Sequence, residues 1–461
     1  MAGGTWTTMN KRRPGAYINT VGQKQPKPDT SLGRTLLIGH AQLGWGADGV
    51  IELDANSNFK ALLGTTLEDS NLVALRETLK GALTVLFYNQ NKGKKATLDE
   101  PTLPWVFAAK YAGTKGNDLH VSFEKDPNEQ DKITVTTLFN TEIVDQQVIR
   151  TTTAAGLVSN DYLDVQLKDT KPTEDKKDGN QALLEALAAT ITVNLTGGTN
   201  EAGDVTAGLN GVLETQNYNV VTAAGYPADS NIHVLVAMAV ERLRETEGYK
   251  IRGVVPALEG ATNYDYEGIS VIANGVELED GTKISTTDAA GFFAGVSSAA
   301  GPTQSLTYAA YPGAVKANPA LTNELTVRAL NAGEIVFTGK RDNRVVIEQD
   351  INSLTKFTDD KPQQFSKNRV IRVLDTIAIN TSEVFENQFL GKVNNDPTGR
   401  DLFKANRVAY MASLQASGIV QDYDAADITV DPGPDKDTIV VTLAVTPIDS
   451  MEKLYMTIVV R

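Results

Sequence analysis

Apolar and polar positions along most of this chain alternate between two rhythms. Short apolar runs predict strands, and stretches whose apolar residues recur every three or four positions predict amphipathic helices. RTLLIG (34–39) and VIELD (50–54) read as strands, LVALRETLKGA (72–82) as a helix and LTVLFYN (83–89) as a strand. That order begins an α/β domain. Between 103 and 168 the rhythm changes. LHVSFE (119–124), ITVTTLF (133–139), TEIVDQQVI (141–149) and DYLDVQL (161–167) follow one another across polar turns, with Leu119, Val121 and Phe123 alternating against polar neighbours. This pattern predicts antiparallel strands with one dry face, an inserted β-sandwich. The polar run TKPTEDKKDGNQ (170–181) closes it like a linker.

The α/β rhythm then resumes. VTAGLNGVLET (205–215) reads as a helix and YNVVTAA (218–224) as a strand. Ser230 is placed to cap a helix running to about Glu247, with Gly248 to end it. Strands follow at 250–256, 268–274 and near 305–311, with a helix around 287–299. EIVFTG (334–339) and RVVIEQ (344–349) predict a hairpin around KRDN. Ser366 is placed to cap a long helix that Gly391 ends, and a second helix spans about 400–416. Two strands close the chain, DTIVVTLAV (437–445) and EKLYMTIVV (452–460). The expected organisation is an extended N-terminal arm (1–33), an α/β core domain (34–102 and 181–322), an inserted antiparallel β-sandwich domain (103–180) and an α+β C-terminal domain (323–461) ending in an extended arm.

The ends stand apart from this rhythm. Gly15, Ala16, Tyr17, Ile18, Asn19, Thr20 and Val21 form a short β-prone run on a tether rich in Pro and polar residues, so it must pair at a distance. At the other end Leu454, Met456, Ile458 and Val460 alternate with Lys453, Tyr455, Thr457 and Val459, giving one strongly apolar face. Such a strand is buried in its own sheet or completes a sheet in a partner, because an open apolar edge is a pairing hazard. Pattern alone leaves both readings open.

Charge and composition narrow the function classes. Net charge is −14, against a general nucleic-acid binder, yet residues 1–33 are net +4, a basic arm on an acidic body suited to docking on another copy. Cysteine is absent, which excludes disulfides and thiolate chemistry and fits a reducing compartment. No apolar run reaches eighteen residues, so no membrane insertion is expected, and the charged N-terminus lacks the apolar stretch of a secretory signal.

Chemistry is sparse. His40, His120 and His233 are the three histidines, none at metal-ligand spacing with a second ligand. Gly44-Trp45-Gly46-Ala47-Asp48-Gly49 matches a dinucleotide fingerprint, but a β-prone run follows where the motif needs a helix N-terminus. Thr196-Gly197-Gly198-Thr199 lacks the lysine of a phosphate loop, and the aspartates between Asp422 and Asp437 do not keep calcium-loop spacing. No catalytic, metal or cofactor residue is expected. The competing class is an α/β hydrolase-like enzyme with an accessory sandwich, although no nucleophile elbow marks it.

Several segments resemble contractile phage tail sheath proteins of Gram-positive myophages and defective prophages. They are GGTWTTMNKRRPGAYINTV (3–21), GWGADGV (44–50), AKYAGTKGNDLHV (109–121), LTGGTN (195–200), NYDYEGISV (263–271), YPGA (311–314), EIVFT (334–338), INSLT (351–355) and DSMEKLYMTIVV (449–460). The resemblance implies a non-enzymatic subunit, in a phage or a phage-tail-like bacteriocin, of a helical tube of stacked six-membered rings. Other sheath subunits, an inner tail tube protein, a baseplate and a tail terminator would be its partners. It further implies that the runs 15–21 and 453–460 reach neighbouring subunits' C-terminal domains, that the sandwich projects outward, and that assembly takes place in the host cytoplasm.

Overall fold

The apolar runs at 34–39, 83–89, 218–224, 250–256 and 268–274 come together in one sheet. The computed structural model describes residues 3–4, 16–17, 32–40, 43–169, 179–201, 203–258, 260 and 264–460, in two units, Met1–Ser31 and Leu32–Arg461. In the larger unit seven strands lie in the order Glu334–Ile335, Ile269–Ile272, Arg252–Pro256, Val220–Thr222, Arg34–Ile38, Thr84–Asn89 and Gly49–Leu53. All pair in parallel except the edge strand Gly49–Leu53. Parallel strands must be covered on both faces, and the period-two alternation divides them accordingly. Leu36, Ile38 and Leu86 pack with helices Val205–Thr215 and Asn231–Glu245, while Leu37, Val85 and Phe87 pack with Val73–Leu79 and Thr286–Ala299. The last two helices cross closely: a side chain on Gly295 would meet the Thr78 carbonyl at 2.2 Å.

The insertion is a two-sheet sandwich. One sheet orders Glu142–Arg150, Lys132–Phe139, Leu119–Lys125 and Thr190–Asn194, the other Leu163–Leu167, Trp105–Ala112 and Lys95–Asp99. Strands Lys95–Asp99 and Thr190–Asn194 lie outside the expected 103–180 span. Both are short and half exposed, so neither shows a clean dry face in sequence; Lys95–Asp99 pairs with the next strand, Trp105–Ala112, and Thr190–Asn194 with the distant Leu119–Lys125. Entry and exit are adjacent, with bridges from Lys94 to Thr199 and from Thr97 to Thr196.

Trp45 explains the glycine-rich segment that mimics a dinucleotide loop. Its indole is fully buried in the sandwich core, with ring centroids 5.5 Å from Tyr111 and 5.6 Å from Phe139, and its Nε1–H donates to the Ala61 carbonyl at 2.8 Å. Gly44, Gly46 and Gly49 all have positive φ, so the chain can turn sharply either side of the ring. At Gly113 a side chain would meet the Gly44 carbonyl at 2.0 Å, which brings sandwich and α/β backbones into contact.

Three expectations about the second half are corrected. The strand near 305–311 does not form, because Tyr308 sits at φ +63° and bends the chain. Only Ala310 makes a bridge there, to Val346, and the strand is Ala314–Asn318 instead. The hairpin at 334–349 is divided, with Glu334–Ile335 joining the parallel sheet while Phe337–Gly339 pairs with Val345–Ile347. Phe337, Val345, Ile347 and Ile351 therefore pack in the α/β core. Ser366 is not the helix cap. It closes a short 3-10 turn, its hydroxyl donating to Gln363, and Asn368–Val384 starts behind Lys367.

That helix runs into a π-helical turn, Phe385–Phe389, followed by Pro397–Ala416, whose first turn Asp396 caps. Val373, Ile377, Met411, Leu414, Ile419 and Val420 form a small separate core. We predict that Trp45→Ala costs about 3–5 kcal/mol in denaturant unfolding followed by circular dichroism, the range for truncating a buried aromatic.

Candidate functional site

Two features mark the C-terminal domain. The first is a two-stranded hairpin, Ile428–Pro432 against Ile439–Leu443, in antiparallel register from Ile428–Leu443 to Pro432–Ile439. The helix Pro397–Ala416 lies against it and Ile428 is buried, but Val440 and Val441 are exposed. Among the described residues no third strand borders either edge. A two-stranded ribbon is marginal by itself, so its stability rests on what covers it.

The second feature is the segment Lys453–Val460. Its alternation predicts a strand, yet no described strand of the same chain pairs with it. A β-prone run becomes a strand only where an edge accepts its backbone groups. Leu454, Tyr455, Met456, Ile458, Val459 and Val460 are all at least 71% exposed. Of the expected arm strand, Ala16 and Tyr17 pair in parallel with Gly3 and Gly4, whereas Gly15, Ile18, Asn19, Thr20 and Val21 lie outside the described residues.

Behind the hairpin, the long helix Asn368–Val384 meets the α/β layer through buried charges that sequence reading did not identify. Arg244 donates to both oxygens of Asp375, at 2.8 and 2.9 Å, and to the Ile251 carbonyl at 2.9 Å. Burial works to lower the Arg244 guanidinium's affinity for its proton, and the Asp375 carboxylate overrides this and raises it. Arg372 donates to Asp350 at 2.7 Å, and Asn368 bridges Asp350 and the Ile351 carbonyl at 3.0 and 2.7 Å. Burial pushes the Asp350 carboxyl up, but Arg372 and its hydrogen bonds hold it below the usual carboxylate range. Arg252 lies alongside, bonded to Ser297 Oγ at 2.9 Å. Asp265, at φ +52°, accepts from the amides of Thr355 and Lys356 at 2.8 and 2.9 Å. Burial opposes ionisation there, and these amides outweigh it, bringing the carboxyl down to about 2.

The candidate chemical groups are scattered. His40 lies against the Tyr226 ring, His120 Nδ1 donates to Asn194 at 2.7 Å, and His233 Nε2 is 3.0 Å from the Pro227 carbonyl. Thr196 and Thr199 serve the sandwich junction, and Asn117 holds Gly198 at 2.8 Å. Asp424 and Asp427 cap one short 3-10 turn reciprocally. Among the described residues no three His, Asp or Glu side chains form a metal-binding group, and no helix is long and apolar enough to cross a membrane.

Comparison with known proteins gives this architecture a family. Residues 89–200 match the phage tail sheath protein beta-sandwich domain, 198–353 its central domain and 360–461 the phage tail sheath C-terminal domain. The phage-like element PBSX protein XkdK of Bacillus subtilis (strain 168) is 33% identical, with all of both chains covered. The chain belongs to the phage tail sheath family. The sheath tail protein of Desulfitobacterium hafniense, 32% identical, superposes with a TM-score of 0.75 over 96% of this chain and 99% of that one. The contracted helical sheath of the anti-feeding prophage, 12% identical over 97% and 99% of the two chains, shares the fold at a TM-score of 0.55. This is a structural sheath subunit, placed in a tail or phage-like particle.

Two predictions follow from the junction. Asp375→Asn strands a buried guanidinium and is expected to cost about 3–5 kcal/mol in urea unfolding, whereas Arg244→Met with Asp375→Leu is expected to be neutral or stabilising. For Asp265, the folded pKa of about 2 lies below the ordinary 3.8. Its contribution is therefore full above that ordinary value and is lost as pH falls towards 2. The urea midpoint of Asp265→Asn should accordingly lie below the parent's at neutral pH and converge with it in acid.

Proposed function

We propose that this subunit polymerises into a helical tube of stacked six-membered rings around an inner tail tube, and that the tube shortens to drive its contents through a bacterial envelope. The work is mechanical. Baseplate and tail terminator bound the tube, which assembles in the host cytoplasm.

The observation that carries this reading is the coexistence of an exposed, unpaired segment of alternating apolar residues with an open-edged ribbon in one chain. A strand donated between copies supplies main-chain hydrogen bonds for affinity and alternate side-chain pockets for register. Each such bond contributes about 0.5–1.5 kcal/mol net, and the sum recurs in every subunit. In this reading Lys453–Val460 and the run 15–21 come from different neighbours to the two edges of Ile428–Pro432 and Ile439–Leu443. The basic arm and acidic body favour the same docking. Ends shared in this way keep copies connected while their bodies rotate. The sandwich, remote in sequence from the hairpin, is free to face outward.

Deleting 453–460 is expected to abolish rings and tubes in negative-stain electron microscopy and to leave the subunit's melting temperature almost unchanged, since the segment is exposed in the isolated chain. Normal tubes from the deletion would refute the exchange.

A further inference from the structure

The root of the terminal segment is fastened mainly by one side chain, Glu452, with Asp449 4.0 Å from the same Lys367 ammonium. Glu452 turns inward, with 10% of its side chain exposed, between two residues that are largely solvent-exposed, Met451 and Lys453. It accepts from the Lys367 ammonium, from Thr307 Oγ1 at 2.9 Å and from Gln349 Nε2 at 3.4 Å. Lys367 immediately precedes the long helix, and Thr307 also receives the Asp350 amide at 3.0 Å, so the clamp abuts the buried charge junction. The previous fixed point is Ile448, whose amide donates to the Ile419 carbonyl at 3.0 Å.

We propose that Glu452 is a releasable clamp that sets the exit point of the exchanged strand and holds Asp449–Glu452 as slack. This rests on the strand exchange above and adds a length to it. With the clamp closed, the proposed exchange strand is the eight residues 453–460. A neighbour's five-residue edge takes five of these, leaving three to cross between copies, about 10 Å at ~3.4 Å per residue. Opening the clamp, together with the 4.0 Å Lys367–Asp449 pair, moves the root back to Ile448 and adds four residues, about 14 Å of reach. The two carboxylates on one lysine and the two hydrogen bonds lie outside the hydrophobic cores, so the fastening opens without disturbing them. Two ring spacings then become accessible to one unbroken strand pairing.

The test uses the full chain carrying Glu452→Ala and, separately, Lys367→Ala. Amide hydrogen exchange at 449–453 is expected to accelerate roughly tenfold in both, with the cores unchanged. Parent-like exchange in both variants overturns the clamp. Electron microscopy of Glu452→Ala tubes is expected to show a wider spread of ring-to-ring rise than the parent, and an identical narrow rise overturns the slack. If the 453–460 deletion still forms tubes, the exchange reading fails instead, while the exchange rates at Glu452 keep their meaning.

Discussion

Burying a charge is tolerable only with a partner in good geometry, and the junction between the two halves of this subunit is built on that constraint. Arg244, Arg252 and Arg372 are all buried where the long helix meets the α/β layer, with Asp350 and Asp375 among them. Such a cluster has one low-energy arrangement. Sliding the helix by a turn would strand guanidinium groups without their carboxylates, at a cost no local repacking recovers. Apolar contacts alone are non-directional and would allow the domains to slip. The C-terminal domain is thereby locked to the sheet in angle as well as in position, and a push on one is delivered to the other.

The C-terminal domain carries two elements with unpaired backbone edges. The hairpin offers two rows of backbone donors and acceptors, and the terminal segment offers one more. Rigid interior and open edge suit a component that keeps its shape while its relations to neighbours change. The exchange proposed above assigns each edge a partner.

Much of the architecture was legible because it is local. The helix Val205–Thr215 matches its expected bounds, and Leu119, Val121 and Phe123 face the sandwich core as their alternation predicts. The misses have non-local causes. Thr190–Asn194 is a strand because the distant Leu119–Lys125 accepts it. Glu334–Ile335 looks like half a hairpin and is claimed by the edge of the parallel sheet, and a left-handed Tyr308 diverts a run that reads as extended. The buried charge junction left no sequence signal, since Arg244 and Asp375 are 131 positions apart and each resembles an ordinary helix-surface residue. For the terminal segment, the alternating pattern predicts a strand, and within the single chain no strand forms there.

The sandwich enters and leaves the α/β layer at one point, where Lys94 pairs with Thr199 and Thr97 with Thr196. Chain ends that meet this way define a cassette: the segment between them can be exchanged for another domain with close termini without altering the parallel sheet's connectivity. The condition is set by Trp45, whose ring would lose its cover and would need a smaller polar replacement. On those terms this subunit is a scaffold that can display a foreign domain once per copy.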